Sequence, residues 1–199
     1  MSINKNIFYS VLTQIPGILL GFISGILITR ILGPAGRGVF SIFQSDIELC
    51  ALFFGFSLNS ALTYFVANRK IELEKLGGIA LLLFACSFLL FSLVLFLIYY
   101  FSKNTFLFPL NHDSLFYYLY LDAAFGLTMA NSIISGFFYG KSMFKIINFI
   151  SVVNSIFNVI CFGTAFYYFH HHASITVSDI LSLSFLVLLI NFTLWLYFF

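Results

Sequence analysis

Apolar residues run through this chain in six long stretches, approximately 7–31, 39–67, 76–101, 115–139, 146–169 and 177–199. The separators are "GPAGRG", "NRKIELEK", "SKNTFLFPLNHD", "GKSMFK" and "HHHASIT", all short and built from turn-forming or charged residues. A helix crossing a bilayer needs about 20 apolar residues, and about 25 when tilted. No stretch alternates apolar and polar positions over about 10 residues, as a barrel strand does. The pattern therefore predicts an all-α, polytopic membrane protein with six transmembrane helices. The first apolar run is too long for a cleavable signal peptide, and no small-residue cleavage site follows it.

Composition strengthens the membrane assignment. Hydrophobic residues make up 61% of the chain, 29 of its 199 residues are Phe and 11 are Tyr, and the mean hydropathy is +1.06. A water-soluble fold of this size could not hide so much aromatic surface. The formal net charge of +2 is too small to attract nucleic acid, and the cations form no basic face. Cys50, Cys86 and Cys161 each fall within a predicted span without C-x-x-C spacing, which reads as small buried hydrophobes rather than a disulfide framework or metal site.

The nine Lys and Arg residues set an orientation. With spans alternating in direction, Lys5, Arg69, Lys70, Lys75, Lys141 and Lys145 share one side, and Arg30, Arg37 and Lys103 the other. The N-terminus is thus expected in the cytoplasm and "GPAGRG" on the outer face. An outward loop is a poor place to bind a nucleotide, and this one lacks the lysine of a phosphate-binding loop. It is expected to be a structural turn.

Polar residues within the spans are the candidate chemistry. In the first span Pro16 is positioned to bend the helix, and Gly17, Gly21 and Gly25 follow at four-residue spacing, a pattern that lets helices approach closely in lipid. The second span holds two acids. Ser41, Gln44, Ser45, Glu48, Gly55 and Asn59 fall on one helical stripe, as a cavity lining would, whereas Asp46 shares an apolar face with Phe43 and Cys50. Residues two apart point away from each other, so Asp46 and Glu48 are no catalytic dyad. An ionised Asp46 needs a cation, and Arg30 is the expected partner; a protonated acid in an apolar seam is the alternative. Thr128, Asn131, Ser132 and Ser135 form a polar ribbon on the fourth span, and Ser151, Asn154, Ser155 and Asn158 one on the fifth. Such ribbons are either interhelical hydrogen bonds or the wall of a shared polar interior. Asp122 lies off the ribbon without an evident role. His170, His171 and His172 fan out on a helix and cannot converge on a metal. No metal, cofactor or catalytic group is expected.

"GFISGILITRILGPAGRGVFSIF", "FGFSLNSALTYFVANRK" and "ISGFFYGKSMFKIINFISVVNSIFNVI" together resemble the N-terminal half of polysaccharide-biosynthesis flippases. These belong to the multidrug/oligosaccharidyl-lipid/polysaccharide exporter superfamily. The resemblance covers roughly the first 170 residues and implies two pseudo-symmetric lobes around a cavity that opens to each side in turn. It also implies an undecaprenyl-diphosphate-linked oligosaccharide as cargo, flipped across the bacterial cytoplasmic membrane. The six spans would be one lobe. Its expected partners are the bilayer, the lipid-linked substrate and a second six-helix lobe, from a longer chain or another copy. The expected cavity residues are Arg30, Gln44, Asp46, Glu48, Asn59, Asn131, Asn154 and Asn158. The sixth span ends at "NFTLWLYFF" without a cationic tail, which raises the expectation of a fragment or a truncated reading frame.

Rival functions differ in what they require. A multidrug exporter of the same superfamily often carries an acid in its first helix, and none is present here. A lipid-linked peptidoglycan-precursor flippase differs only in cargo. An enzyme acting on polyprenyl phosphates needs clustered acids or an acid–base pair at a membrane face. The inner-face acids Glu72 and Glu74 are instead interleaved with cations, as in a solvated loop. An inactive remnant is the remaining alternative.

Overall fold

The computed structural model describes residues 3–55, 57–68, 72–101, 114–171 and 175–199, with side chains from residue 14 onward and not at 170–171. The side chains of Lys5, His170 and His171, and all of Arg69, Lys70, Lys103 and His172, lie outside the described residues. The elements are α1 (Ile3–Phe54), α2 (Leu58–Asn68), α3 (Leu73–Phe101), α4 (Leu115–Gly140), α5 (Phe144–His171) and α6 (Val177–Phe198). Among the described residues there is no strand. Among the described residues five runs are long and apolar enough to cross a membrane: Gln14–Phe54, Leu73–Phe101, Leu115–Gly140, Phe144–Phe169 and Val177–Phe198. The protein is an all-α, multipass membrane protein.

The expected loop "GPAGRG" is helical apart from one residue. Gly33 has φ 67° and ψ −179°, and it is the one position in α1 with non-helical dihedrals. That region is open essentially to glycine. Pro34 follows at once, where its fixed φ and missing N–H suit the first position of a new helical segment. The turn is thus compressed into a Gly-Pro junction, with 3–32 on one side and 34–54 on the other. The apolar run Gln14–Phe54 has 41 residues; at 1.5 Å per residue it is about twice as long as the hydrocarbon layer is thick. Pro16 keeps helical dihedrals.

The expected second span also breaks. Gly55 and Ser57 are not helical, Ser57 has φ 53°, and helix resumes at Leu58. A polar stripe drawn from Ser41 to Asn59 on one uninterrupted helix therefore changes register before Asn59.

The chain forms two compact units, Met1–Arg37 with Met143–Phe199, and Gly38–Ser142. In the second, α4 is the central element. Its Tyr118, Leu121, Ala124, Phe125 and Met129 are buried, and α2 and α3 both pack on it. Phe54, Phe91 and Phe125 form one ring cluster there, with Phe91 and Phe125 centroids 4.0 Å apart. Leu62, Val66, Leu76, Ala80 and Phe137 form the junction of α2, α3 and α4. In the first unit α5 packs on α6, and α6 opens with the Thr176 N–H donating to Asp179 Oδ2 at 2.9 Å, the acidic half of a capping box. Large apolar side chains such as Leu81, Leu89, Leu93 and Phe96 on α3 are exposed, as they should be where lipid is the solvent. Cys50 is buried, but Cys86 is exposed on that α3 surface, so it is not the buried hydrophobe its sequence position implies.

Candidate functional site

The expected cavity residues divide between the units: Arg30, Asn154 and Asn158 in the first, and Gln44, Asp46, Glu48, Asn59 and Asn131 in the second. In the first unit a groove of about 550 Å³ runs along the C-terminal half of the 3–32 segment. Gly21, Phe22, Gly25, Ile26, Thr29, Arg30 and Arg37 line it. The local sequence explains the opening. A Cβ placed on Gly21 or Gly25 would meet nothing within 4 Å, so these glycines leave the helix surface bare. Thr29 turns its hydroxyl back to the Gly25 carbonyl at 2.8 Å, which keeps it from filling the space. Arg30 closes that end of the row, and the Gly33–Pro34 junction carries the chain on to Arg37. Sequence reasoning found Arg30 and assigned Arg37 to a turn. The signal for Arg37 was present in "TRILGPAGRG", but its place depends on how sharply the chain breaks.

The fifth-span ribbon proves to have two parts. Ser151 and Ser155 face Gly17 of α1; a Cβ on Gly17 would lie 3.8 and 3.6 Å from their hydroxyls. Asn158 donates from Nδ2 to the Asn154 carbonyl within its own helix, while Asn154 Oδ1 is buried with no hydrogen-bond partner among the described residues. Asn191 on α6 shares that condition. It was missed because it stands alone in the apolar run "LVLLINFTLW" and belongs to no ribbon.

In the second unit the serines of the fourth-span ribbon are helix-to-helix glue. Asn59 on α2 donates from Nδ2 to Ser135 Oγ at 3.0 Å and to Ser132 Oγ at 3.4 Å, while the Thr63 hydroxyl donates to the Asn59 carbonyl of its own helix at 2.8 Å, with the Gly136 carbonyl a longer acceptor at 3.3 Å. Asn131 Oδ1 is buried and, among the described residues, has no partner. Asp122 acquires a role: Ser92 on α3 donates to its Oδ1 at 2.7 Å, tying α3 to α4.

The two acids separate as the helical spacing predicts. Asp46 is buried on the face carrying Phe43, Ile47 and Cys50, whereas Glu48 is exposed and Gln44 half-buried. Asp46 lies about 18 Å along the segment that begins at Pro34, deeper than a helix starting at Val39 implies. Its Oδ2 is buried with no hydrogen-bond partner among the described residues. Arg30 and Asp46 belong to different units, and their pairing stays an expectation. Lys75 pairs with Glu72 at 2.8 Å, both strongly exposed; such a pair contributes at most about 1 kcal/mol. It fits the solvated character expected of "RKIELEK". Among the described residues no cluster of His, Cys, Asp or Glu could hold a metal ion.

The first unit thus offers two guanidinium groups in an open groove and the buried amide oxygens of Asn154 and Asn191, and the second unit the buried amide oxygen of Asn131. Against known families, the profile of the polysaccharide biosynthesis proteins matches residues 3–199, nearly the whole chain. The chain belongs to that family. No curated protein and no solved structure matches it. The resemblance drawn from "TRILGPAGRG" and its flanking helices agrees with the family that the profile identifies.

Proposed function

We propose that this chain is one lobe of a flippase that turns undecaprenyl-diphosphate-linked oligosaccharides from the cytoplasmic to the outer leaflet of the bacterial cytoplasmic membrane. The observation that carries the proposal is the groove holding Arg30 and Arg37 beside the bare backbone of Gly21 and Gly25. Guanidinium groups are weakly hydrated and present forked donors that match phosphate oxygens two at a time. A diphosphate is the polar feature common to every such cargo, whatever its glycan. The amides of Asn131 and Asn154 suit sugar hydroxyls, which both donate and accept. In the second unit Gln44 and Glu48 add further polar groups to the span that carries them, and a second lobe completes the cavity. The polysaccharide biosynthesis family supplies the biological setting. Translocation makes and breaks no covalent bond, so the reading needs no catalytic group. The N-terminus lies in the cytoplasm on the distribution of Lys and Arg.

The test is reconstitution of the protein into vesicles containing an undecaprenyl-diphosphate-linked oligosaccharide, followed by an enzyme that modifies only outward-facing glycan. Protein-containing vesicles should expose the inner pool far faster than empty ones. Equal rates for the two would sink the proposal.

A further inference from the structure

The break at Gly55 and Ser57 joins two helical pieces of the second unit that are held in different ways. On one side, α2 is locked to α4 by directional bonds and close backbone approach. Asn59 donates to Ser132 and Ser135 across the seam. Gly136 and Gly140 pack so tightly on α2 that a Cβ would lie 3.0 Å from the Asn59 carbonyl oxygen and 2.5 Å from Val66 Cβ, respectively. On the other side, segment 38–54 leans on α3 and α4 through rings. Phe43 stacks on Tyr117 at 5.2 Å and meets Tyr120 edge-on at 6.2 Å, while Phe54 meets Phe91 and Phe125 at 5.3 and 6.2 Å. In a bilayer these holds are unequal. Lipid tails replace lost apolar contacts with little penalty, whereas a broken interhelical hydrogen bond leaves polar groups in hydrocarbon.

The junction has the local features of a pivot. Gly55 could not be any other residue in this conformation, because its Cβ would fall 2.2 Å from the Ala51 carbonyl oxygen. Ser57 stands in the left-handed region at φ 53°, which a side chain adopts only when its surroundings hold it there. The turn is closed by Gly55 N–H to the Ala51 carbonyl and Leu58 N–H to the Gly55 carbonyl, both at 2.9 Å.

We propose that Gly55 and Ser57 form a hinge about which segment 38–54 swings while α2 stays fixed on α4. The swing carries Gln44, Asp46 and Glu48 as one body relative to α2 and α4. The motion itself is independent of the cargo; its use in opening and closing a transport cavity rests on the flippase reading.

The experiment measures the motion directly, in the full protein in vesicles with Cys50, Cys86 and Cys161 replaced. Spin labels go on the exposed positions Ser45 and Leu119 in one sample, and on Ser60 and Leu119 in another. Pulsed electron resonance should give two distance maxima for Ser45–Leu119 and one for Ser60–Leu119. Gly55→Ala should leave the first pair with a single maximum. Ser57→Gly removes the Cβ that resists the left-handed backbone, so it should keep both maxima and shift weight toward the one Gly55→Ala loses. A single sharp Ser45–Leu119 maximum in the parent protein, or no shift of weight in Ser57→Gly, would overturn the hinge. Two maxima in a protein that moves no lipid-linked oligosaccharide would keep the hinge and defeat the flippase reading instead.

Discussion

Two pairs of glycines, both four residues apart, do opposite things in this protein. Gly136 and Gly140 on α4 are closed in: their missing side chains let α2 come so near that a Cβ would lie 3.0 Å from the Asn59 carbonyl oxygen and 2.5 Å from Val66 Cβ. Gly21 and Gly25 on α1 are open, with nothing within 4 Å of a virtual Cβ, and they floor a groove that ends at Arg30 and Arg37. Small residues at helical spacing therefore do not by themselves mean helix packing. They mean that a helix surface is bare, and what fills the bare strip is decided elsewhere. On α4 the filler is α2, held by Asn59. On α1 no described side chain takes the place, and two cations stand at its end.

The largest expected effect breaks the closed pair. Gly140→Leu must displace Val66 and the Thr63 carbonyl, which lie 2.5 to 3.0 Å from the new Cβ. Overpacking of this kind costs about 3 kcal/mol or more. For a chain of this size the melting temperature in detergent should fall by about 10 °C. Gly25→Leu, by contrast, should melt like the parent within a few degrees yet slow translocation sharply, because it fills the groove.

Next comes the charge at the end of the open row. Arg30→Gln and Arg37→Gln each keep a hydrogen-bonding side chain but lose the positive charge. If the groove holds a diphosphate, each should slow translocation about tenfold, the equivalent of one charge-assisted hydrogen bond at about 1.5 kcal/mol. Lysine at either position keeps the charge but not the fork, and should restore only part of the rate. Unchanged rates in both glutamine variants would leave the groove as a lipid-facing hollow.

How much of this was legible in the sequence differs between the two glycine pairs for a physical reason. Hydropathy revealed the apolar runs, the all-helical class and the membrane, because a bilayer imposes length and polarity on every span. It also separated Asp46 from Glu48, since helical spacing alone puts them on opposite faces. What could not be read is which polar groups meet. Thr128, Asn131, Ser132 and Ser135 look like one ribbon, but Asn59 takes up two of its serines while Asn131 Oδ1 is left unpaired. Partner choice is a tertiary property, invisible to spacing along one helix. The breaks were equally hidden. "GPAGRG" advertises a turn of several residues, yet one glycine with φ 67° suffices once Pro34 restarts the helix. Gly55 in "FFGFSLN" looks like a neutral small residue, but its conformation excludes every side chain.

A smaller effect tests the glue on α2. Asn59→Ala removes the donor shared by Ser132 and Ser135 and should lower stability by about 1 kcal/mol, or about 3 °C in melting temperature. The loss stays modest because Ser135 also donates to the Ser132 carbonyl at 2.9 Å and is not stranded. Translocation at a temperature well below melting should be nearly unchanged. A large transport defect without destabilisation would move Asn59 from the packing seam to the cargo path.

The smallest expected effect discriminates most finely, because it pits local propensity against the groove. Gly25→Ala adds one methyl group where nothing lies within 4 Å. A glycine in the middle of a helix costs about 0.5–1 kcal/mol relative to alanine, owing to the freedom its backbone loses on folding. The Thr29 hydroxyl can still donate to the residue-25 carbonyl, since that bond involves only backbone at position 25. The variant should therefore melt about 2 °C higher than the parent. In lipid the flexible reference chain is itself largely helical, so the gain should sit at the low end of the range. The same methyl projects into the groove beside Arg30, and translocation should slow slightly rather than stop. Gly140→Ala places an identical methyl against Val66 and should move melting in the opposite direction. If both substitutions shifted stability the same way, the distinction between a closed and an open glycine pair would be lost.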